Sequence, residues 1–409
     1  MSEALDRRAG QVLPDAQAVA RHDAAVFDLR RRRDAAAAAV PDWQALRAQA
    51  TALKRHVLDH LDTLLERFEE QAQRAGAVVH WAEGAEAHNR VVEGLLRDHG
   101  VRRAVKSKSM LTEECGLNAW LEARDIEVVD TDLGERIVQL GRERPSHLIV
   151  PAIHRTRQEI GALFARHLGT PAGETDPERL VRYARGDLRR RFLEAEAGLT
   201  GANFAVAETG ALVLVTNEGN ADLGTSLPPL HIASLGIEKL VADPSDLAVF
   251  LRLLARSATG QPLTAYTTWL RGPRPGGALH IVLVDHGRSR LLANPRHRSA
   301  LACIRCGACL NTCPVYRRAG GHAYDTTIPG PIGAVLGPAR PEAPGARALP
   351  FASSLCGSCS AVCPVGIDLH EQLLAWRREA PPERPARGLA LRAAAAILAH
   401  PLLYRAAGR

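Results

Sequence analysis

Seven of the eight cysteines in this 409-residue chain fall in two short runs near its C-terminus, and no other feature limits its fold so tightly. The first run is Cys303, Cys306, Cys309 and Cys313, closed by Pro314. Two, two and three intervening residues followed by proline is the spacing of bacterial ferredoxins. Three thiolates two residues apart on one curling loop reach three corners of a cubane, while the fourth points toward a second cluster. The second run is Cys356, Cys359, Cys363 and Pro364, and aligned from its Cys-Pro end it repeats the first with Ser353 in the leading position. The repeat predicts crossed ligation, with Cys303, Cys306, Cys309 and Cys363 around one [4Fe-4S] cluster and Cys313, Cys356 and Cys359 around another. Hydroxyl is a poorer iron ligand than thiolate, so the fourth position of the second cluster stays open among Ser353, solvent and a partner's group, with [3Fe-4S] as the remaining alternative. Zinc, which favours four ligands in separated pairs, matches poorly.

Cysteines so spaced, where no secretory leader is expected, read as metal ligands, because cytosolic thiols are kept reduced. Residues 1–8 are polar and the apolar run 35–40 is too short for a leader, so a cytoplasmic location is expected. The apolar stretch 389–399 contains Arg392 and falls far short of the ~20 residues a membrane span needs, which leaves peripheral membrane contact open. The net charge of +7 is spread along an arginine-rich chain. Its densest run, 30–33, has no interleaved aromatic residues, so nucleic acid is not an expected partner. Cys115, alone beside Glu113 and Glu114, reads as a small packed residue.

Residues 1–76 form an expected helical N-terminal arm, with Leu46, Leu53, Val57, Leu61, Leu64, Leu65 and Phe68 at helical spacing and a helix start at Pro41 and Asp42. Over 77–295, strand-like runs at 77–81, 103–107, 126–131, 148–150, 204–207, 212–215 and 280–284 alternate with helical patterns at 86–99, 155–167, 177–197 and 246–259. That alternation predicts an α/β domain with a largely parallel sheet. A mainly helical two-cluster ferredoxin-type domain is expected over 296–380, with a Gly/Pro-rich connector at 330–350. Residues 381–409, opening with Pro381, Pro382 and Pro385, read as a linker and short helical tail. No G-x-G-x-x-G follows a strand, so a nicotinamide or flavin fingerprint is lacking.

Open α/β sheets bind ligands at the carboxyl ends of their strands. The polar residues around one such end make Glu208, Asn217, Glu218 and Asn220 pocket candidates, against the plainer reading of turn chemistry. Lys106 and Lys108 are expected on a solvated face, with a carboxylate site as the alternative. His322 and Tyr324 are expected to pack a loop beyond the first run, with a cluster or partner contact through His322 as the alternative.

Longer motifs add a resemblance. TGANFAVAETGALVLVTNEGNADL at 200–223 is followed by His231, GIEK at 236–239, ARSATGQ at 255–261 and HIVLVDHGRS at 280–289. CIRCGACLNTCPVYRRAGGHAY at 303–324 and PGPIGAVL at 329–336 complete the set. Over about 106–374 the chain resembles the lactate-utilisation iron-sulfur proteins. The resemblance implies an α/β domain of the sugar-isomerase and CoA-transferase type, and a second cysteine run short of one ligand. It also implies one subunit of a three-part system oxidising L-lactate to pyruvate, with a cysteine-rich heterodisulfide-reductase-like protein and a second α/β protein as partners. The expected role is electron transfer through two clusters to a further acceptor. The alternatives are a self-contained hydroxy-acid oxidoreductase and a redox-sensing binding module.

Overall fold

The computed structural model describes residues 3–340, 345–379, 393–401 and 405. Ten strands are present among them: β1 Val78–Ala82, β2 Arg103–Lys106, β3 Glu127–Asp130, β4 Ala197–Gly201, β5 Phe204–Val206, β6 Ala211–Thr216, β7 Leu230–Gly236, β8 Leu240–Val241, β9 Tyr266–Leu270 and β10 Ala278–Val284. The larger sheet has the order β1-β10-β7-β4-β2-β3, and every pairing in it is parallel. Parallel strands need long crossovers, and the helices Ala85–Asp98 and Pro177–Glu194 supply them within or close to the stretches expected from sequence. The smaller sheet, β8-β5-β6-β9, joins β6 to β5 and β9 in antiparallel pairs.

Three local expectations are corrected, and one strand, β7, had not been expected. Residues 148–150 are a turn, because the His147 ring takes the N–H groups of Ile149 and Val150 at 3.0 and 3.1 Å and so withholds them from a ladder. The helix expected to reach residue 197 stops at Glu194, and Ala197 opens β4. β7 is buried throughout, and its apolar pattern is broken by His231 and Ser234, which pair with Thr200 and His88, each at 2.8 Å. The expected connector at 330–350 holds a fully buried helix, Gly330–Leu336, followed by the short helical turns Gly337–Ala339 and Ala346–Phe351. Glycine there serves close packing: a Cβ on Gly333 would stand 1.6 Å from the Ile328 carbonyl oxygen. The linker at 381–392 lies outside the described residues.

The N-terminal helices Glu3–Val12, Ala16–Ala38, Trp43–Asp59 and Leu61–Arg74 lie across the rest of the chain. Asp15 caps the second by accepting from the Ala18 N–H at 2.9 Å. Asp42 precedes the third without capping it, its carboxylate instead meeting Arg252 at 3.0 Å. Ala16–Ala38 packs on Pro244–Thr259 and on Ala308–Thr312. Its Arg33 donates to the Val362 carbonyl at 3.0 Å, and Arg47 of the third helix to the Cys363 carbonyl at 2.9 Å. Val26, Phe204, Phe250, Leu310 and Cys309 share one hydrophobic cluster, so arm, small sheet and C-terminal helices have a common core.

Candidate functional site

The two cysteine runs trace the same backbone fifty residues apart. Cys303 Sγ accepts from the Arg305 N–H at 3.4 Å, and Ser353 Oγ accepts from the Leu355 N–H at 3.1 Å. Arg305 and Leu355 both take a left-handed conformation, at φ 60° and 57°. Cys306 and Cys356 follow, then Gly307 and Gly357 at φ 75° and 76°, then the short helices Ala308–Thr312 and Ser358–Val362. Each helix ends on an extended cysteine, Cys313 or Cys363, ahead of proline. A left-handed φ strains any residue with a Cβ, so its recurrence at a non-glycine position marks a conformation the loop requires. Ser353 therefore occupies the structural position of Cys303.

Cys303, Cys306, Cys309 and Cys363 line one cavity, walled by Leu148, Ile304, Ile332 and Val365. Cys313, Cys356 and Cys359 form a second group. Burial, with Cys313 next, pushes the Cys359 thiol up to about 11. Burial likewise raises Cys363 to about 11 against the backbone N–H groups of Ile367 and Val365. Metal-free, these two thiols hold their protons, and a binding cation must displace them. Cys356 is exposed and Cys303 half-buried, while the other five are buried, so the second group is the wetter one. Backbone N–H groups aim at sulfur from Tyr316 onto Cys313 at 3.5 Å and from Ile367 onto Cys363 at 3.3 Å. Four sulfurs in an apolar cavity with N–H donors suit a thiolate-held iron-sulfur cluster and not an oxygen-bound hard cation.

A second cavity, of about 620 Å³, opens at the carboxyl ends of β2, β3, β4 and β7. Asn217, Glu218 and Asn220 line it. Glu208 does not: it sits in the β5-β6 turn, 43% exposed, with Arg67 at 3.7 Å. Glu218 accepts from the Leu133 N–H at 3.1 Å, and burial followed by Asp132 raises its carboxyl. Asn217 is tied to Gln261 at 2.9 Å and to the Ala265 N–H at 3.0 Å. The floor is an ion network. Arg288 meets Glu238 at 2.6 Å and Glu114 at 3.1 Å, and Arg340 meets Glu114 at 2.9 Å. Burial alone would raise Glu114, but Arg340, Arg288 and Arg305 outweigh it and hold the carboxyl at about 2. Arg305, between Cys303 and Cys306 in sequence, lines both cavities, as does Leu148. Sequence reasoning missed both. A lone cation inside C-I-R-C was a usable signal for Arg305, whereas nothing local marks Leu148.

Lys106 is not on a solvated face. It is fully buried, with its ammonium 2.7 Å from both Glu113 and Asp130 and 4.0 Å from Glu135. Burial works against that charge, but the carboxylates outweigh it and raise the lysine pKa. Lys108 lies on the cavity wall and donates to the Ile149 carbonyl at 2.9 Å. His322 is exposed and pairs with the Arg144 carbonyl at 2.8 Å, while Tyr324 is buried beside Cys313. Cys115 is buried in the α/β core.

Comparison with known proteins agrees with this construction. Residues 65–292 match the LUD domain family and residues 299–367 the 4Fe-4S dicluster domain. The chain is an iron-sulfur protein in which an α/β LUD domain precedes a ferredoxin-type domain of the two-cluster kind. It is 44% identical to a lactate utilization protein B of Exiguobacterium sp. over 93% of this chain and 82% of that one. A lactate utilization protein B of Shouchella clausii is 42% identical, over 92% and 81%. An uncharacterized electron transport protein of Escherichia coli is 46% identical, over 82% and 72%. The chain belongs to the lactate utilization protein B family. Among solved structures, a DUF162 family protein from Deinococcus radiodurans is similar at a TM-score of 0.31 and 17% identity, over 55% of this chain and 98% of that one.

Proposed function

We propose that this protein is the electron-transfer subunit of a complex that oxidises L-lactate to pyruvate and passes the electrons to a further acceptor. The observation that carries the reading is the single cavity lined by three cysteines of the first run and the last of the second. In this reading Cys303, Cys306, Cys309 and Cys363 hold one cluster. Cys313, Cys356 and Cys359 hold the other, with Ser353 as the candidate fourth ligand. The clusters supply one-electron chemistry; the protein tunes their potential through N–H donors, burial and nearby charge. Partners of the reading are a cysteine-rich protein of the heterodisulfide-reductase kind and a second α/β protein. No helix among the described residues is long and apolar enough to cross a membrane.

Anaerobically prepared protein is expected to contain about seven to eight irons per chain with matching sulfide. In the reconstituted complex, L-lactate should bleach the cluster absorbance and generate the electron paramagnetic resonance signals of reduced clusters. Stoichiometric zinc with little iron, or clusters that stay oxidised under lactate in the complete complex, would overturn the reading.

A further inference from the structure

The wall between the cysteine cavity and the larger cavity carries more positive charge than the protein itself balances. Lys54, Lys239, Arg288, Arg305 and Arg340 converge there on only two carboxylates, Glu114 and Glu238. Burial pulls Lys54 and Lys239 down to about 8, so both are still charged at pH 7, and five cations less two anions leave three positive charges in a largely buried place. Such an excess is costly unless another anion joins it. Of the three that line the larger cavity, Arg288 is fully engaged while Arg305 and Lys239 have spare hydrogen-bonding capacity. Arg305 Nη1 is buried with no acceptor. Its Nη2 reaches Glu238 and Glu114 only at 3.5 and 3.8 Å. Lys239, from the GIEK motif, has no hydrogen-bond or ion-pair partner among the described residues. Both line the larger cavity, and the field of Cys303 reaches both.

A [4Fe-4S] cube held by four thiolates carries a net charge of minus two when oxidised and minus three when reduced. Held by Cys303, Cys306, Cys309 and Cys363, it neutralises the excess fully only in the reduced state. The oxidised state leaves one positive charge over, on the cavity side. We propose that the inner end of the large cavity binds a small monocarboxylate against Lys239 and Arg305, and binds it more tightly when the adjacent cluster is oxidised. A carboxylate offers one oxygen to each unpartnered donor, and Leu148, Ile149 and Leu254 on the same cavity's walls accept a short alkyl group. The inference rests on the electron-transfer reading for the cluster's presence and adds a ligand to this subunit, linked to its redox state. By linkage the carboxylate must lower the potential of that cluster by the same free energy.

The test uses the full chain, prepared anaerobically, with iron content and cluster reduction by dithionite checked on each batch. A batch lacking iron counts against the electron-transfer reading, and the binding measurement is made on loaded protein. Pyruvate is titrated by calorimetry into oxidised and into reduced protein. Saturable binding to the oxidised form is expected, weakened about tenfold on reduction. A tenfold ratio corresponds to a fall of about 59 mV in the one-electron midpoint potential under saturating pyruvate. Lys239→Gln should weaken binding to the oxidised form at least tenfold with iron content unchanged. The wild-type titration and potential stand even if that variant fails to fold. No saturable binding to loaded protein, equal affinity in the two states, or a folded Lys239→Gln protein that binds as the wild type overturns the proposal.

Discussion

At Ser353 the second half of the cysteine repeat departs from the first in chemistry while keeping its backbone, down to the hydrogen bond from the residue two ahead. Ser353→Cys is therefore expected to place a thiolate where the loop already presents a ligand atom. In the wild type, exposure to air should convert the second cluster first, giving a [3Fe-4S] signal by electron paramagnetic resonance; in Ser353→Cys that signal should be delayed several-fold. Equal decay of both clusters in both proteins would mean that the fourth ligand comes from elsewhere. A second expectation concerns Glu135. Burial raises its carboxyl to about 8 in spite of Lys106, well above the ~4.3 of an unfolded glutamate. Its contribution is thus fully present below the unfolded value and is lost as pH climbs toward the folded one. Glu135→Gln, which mimics the protonated acid, should gain on the wild type by at least about 1 kcal/mol between pH 5 and pH 8. A difference in urea midpoints that does not change with pH would refute this. That Cys303, Cys306, Cys309 and Cys363 come together could be read from spacing alone, because cluster geometry dictates it. Lys106 could not, since Asp130, which draws it inward, arrives from a neighbouring strand.

Helices and strands divide along the same line. The arm's helices and the crossover helices were legible because their apolar periodicity is local. β7 was not, because its polar members His231 and Ser234 are satisfied only by distant Thr200 and His88. The buried helix Gly330–Leu336 was hidden by its own glycines and prolines, which read as a loop until the close packing on Ile328 is seen. The larger cavity lies at the strand ends where α/β topology puts it, and Asn217 and Glu218 were found for that reason. Glu208 fell outside because the β5-β6 hairpin turns it away. The elements that clamp the second run are the N-terminal helices, through Arg33 and Arg47. Each gives a charged donor to a backbone carbonyl, worth about 1.5–3 kcal/mol. Arg47→Ala, which removes the bond to the Cys363 carbonyl, is expected to shorten the lifetime of the cluster absorbance in air about tenfold. An unchanged lifetime would show that the third helix packs against the run without restraining it.

Across the whole molecule the domains expected as successive units in sequence share one core, with Phe250 and Val26 packed in the same cluster as Cys309 and Cys363. Loss of the clusters should therefore be felt well away from the cysteines. Hydrogen exchange in the helix Pro244–Thr259 should quicken by at least tenfold when iron is removed, while β10, whose Leu279 and Ile281 belong to a different hydrophobic cluster, should change little. Uniform protection in the two forms would contradict a common core. The reach of the arm has a further consequence for how the protein is made. Arg33 and Val362 are 329 positions apart, and Arg47 and Cys363 are 316. At roughly 5–20 residues per second, a ribosome delivers the arm some tens of seconds before the residues it will clasp. In that interval Ala16–Ala38 can already meet Pro244–Thr259, but the carbonyls that Arg33 and Arg47 clasp are not yet made. The clasp of these helices upon the Val362 and Cys363 carbonyls therefore belongs to a late stage of folding.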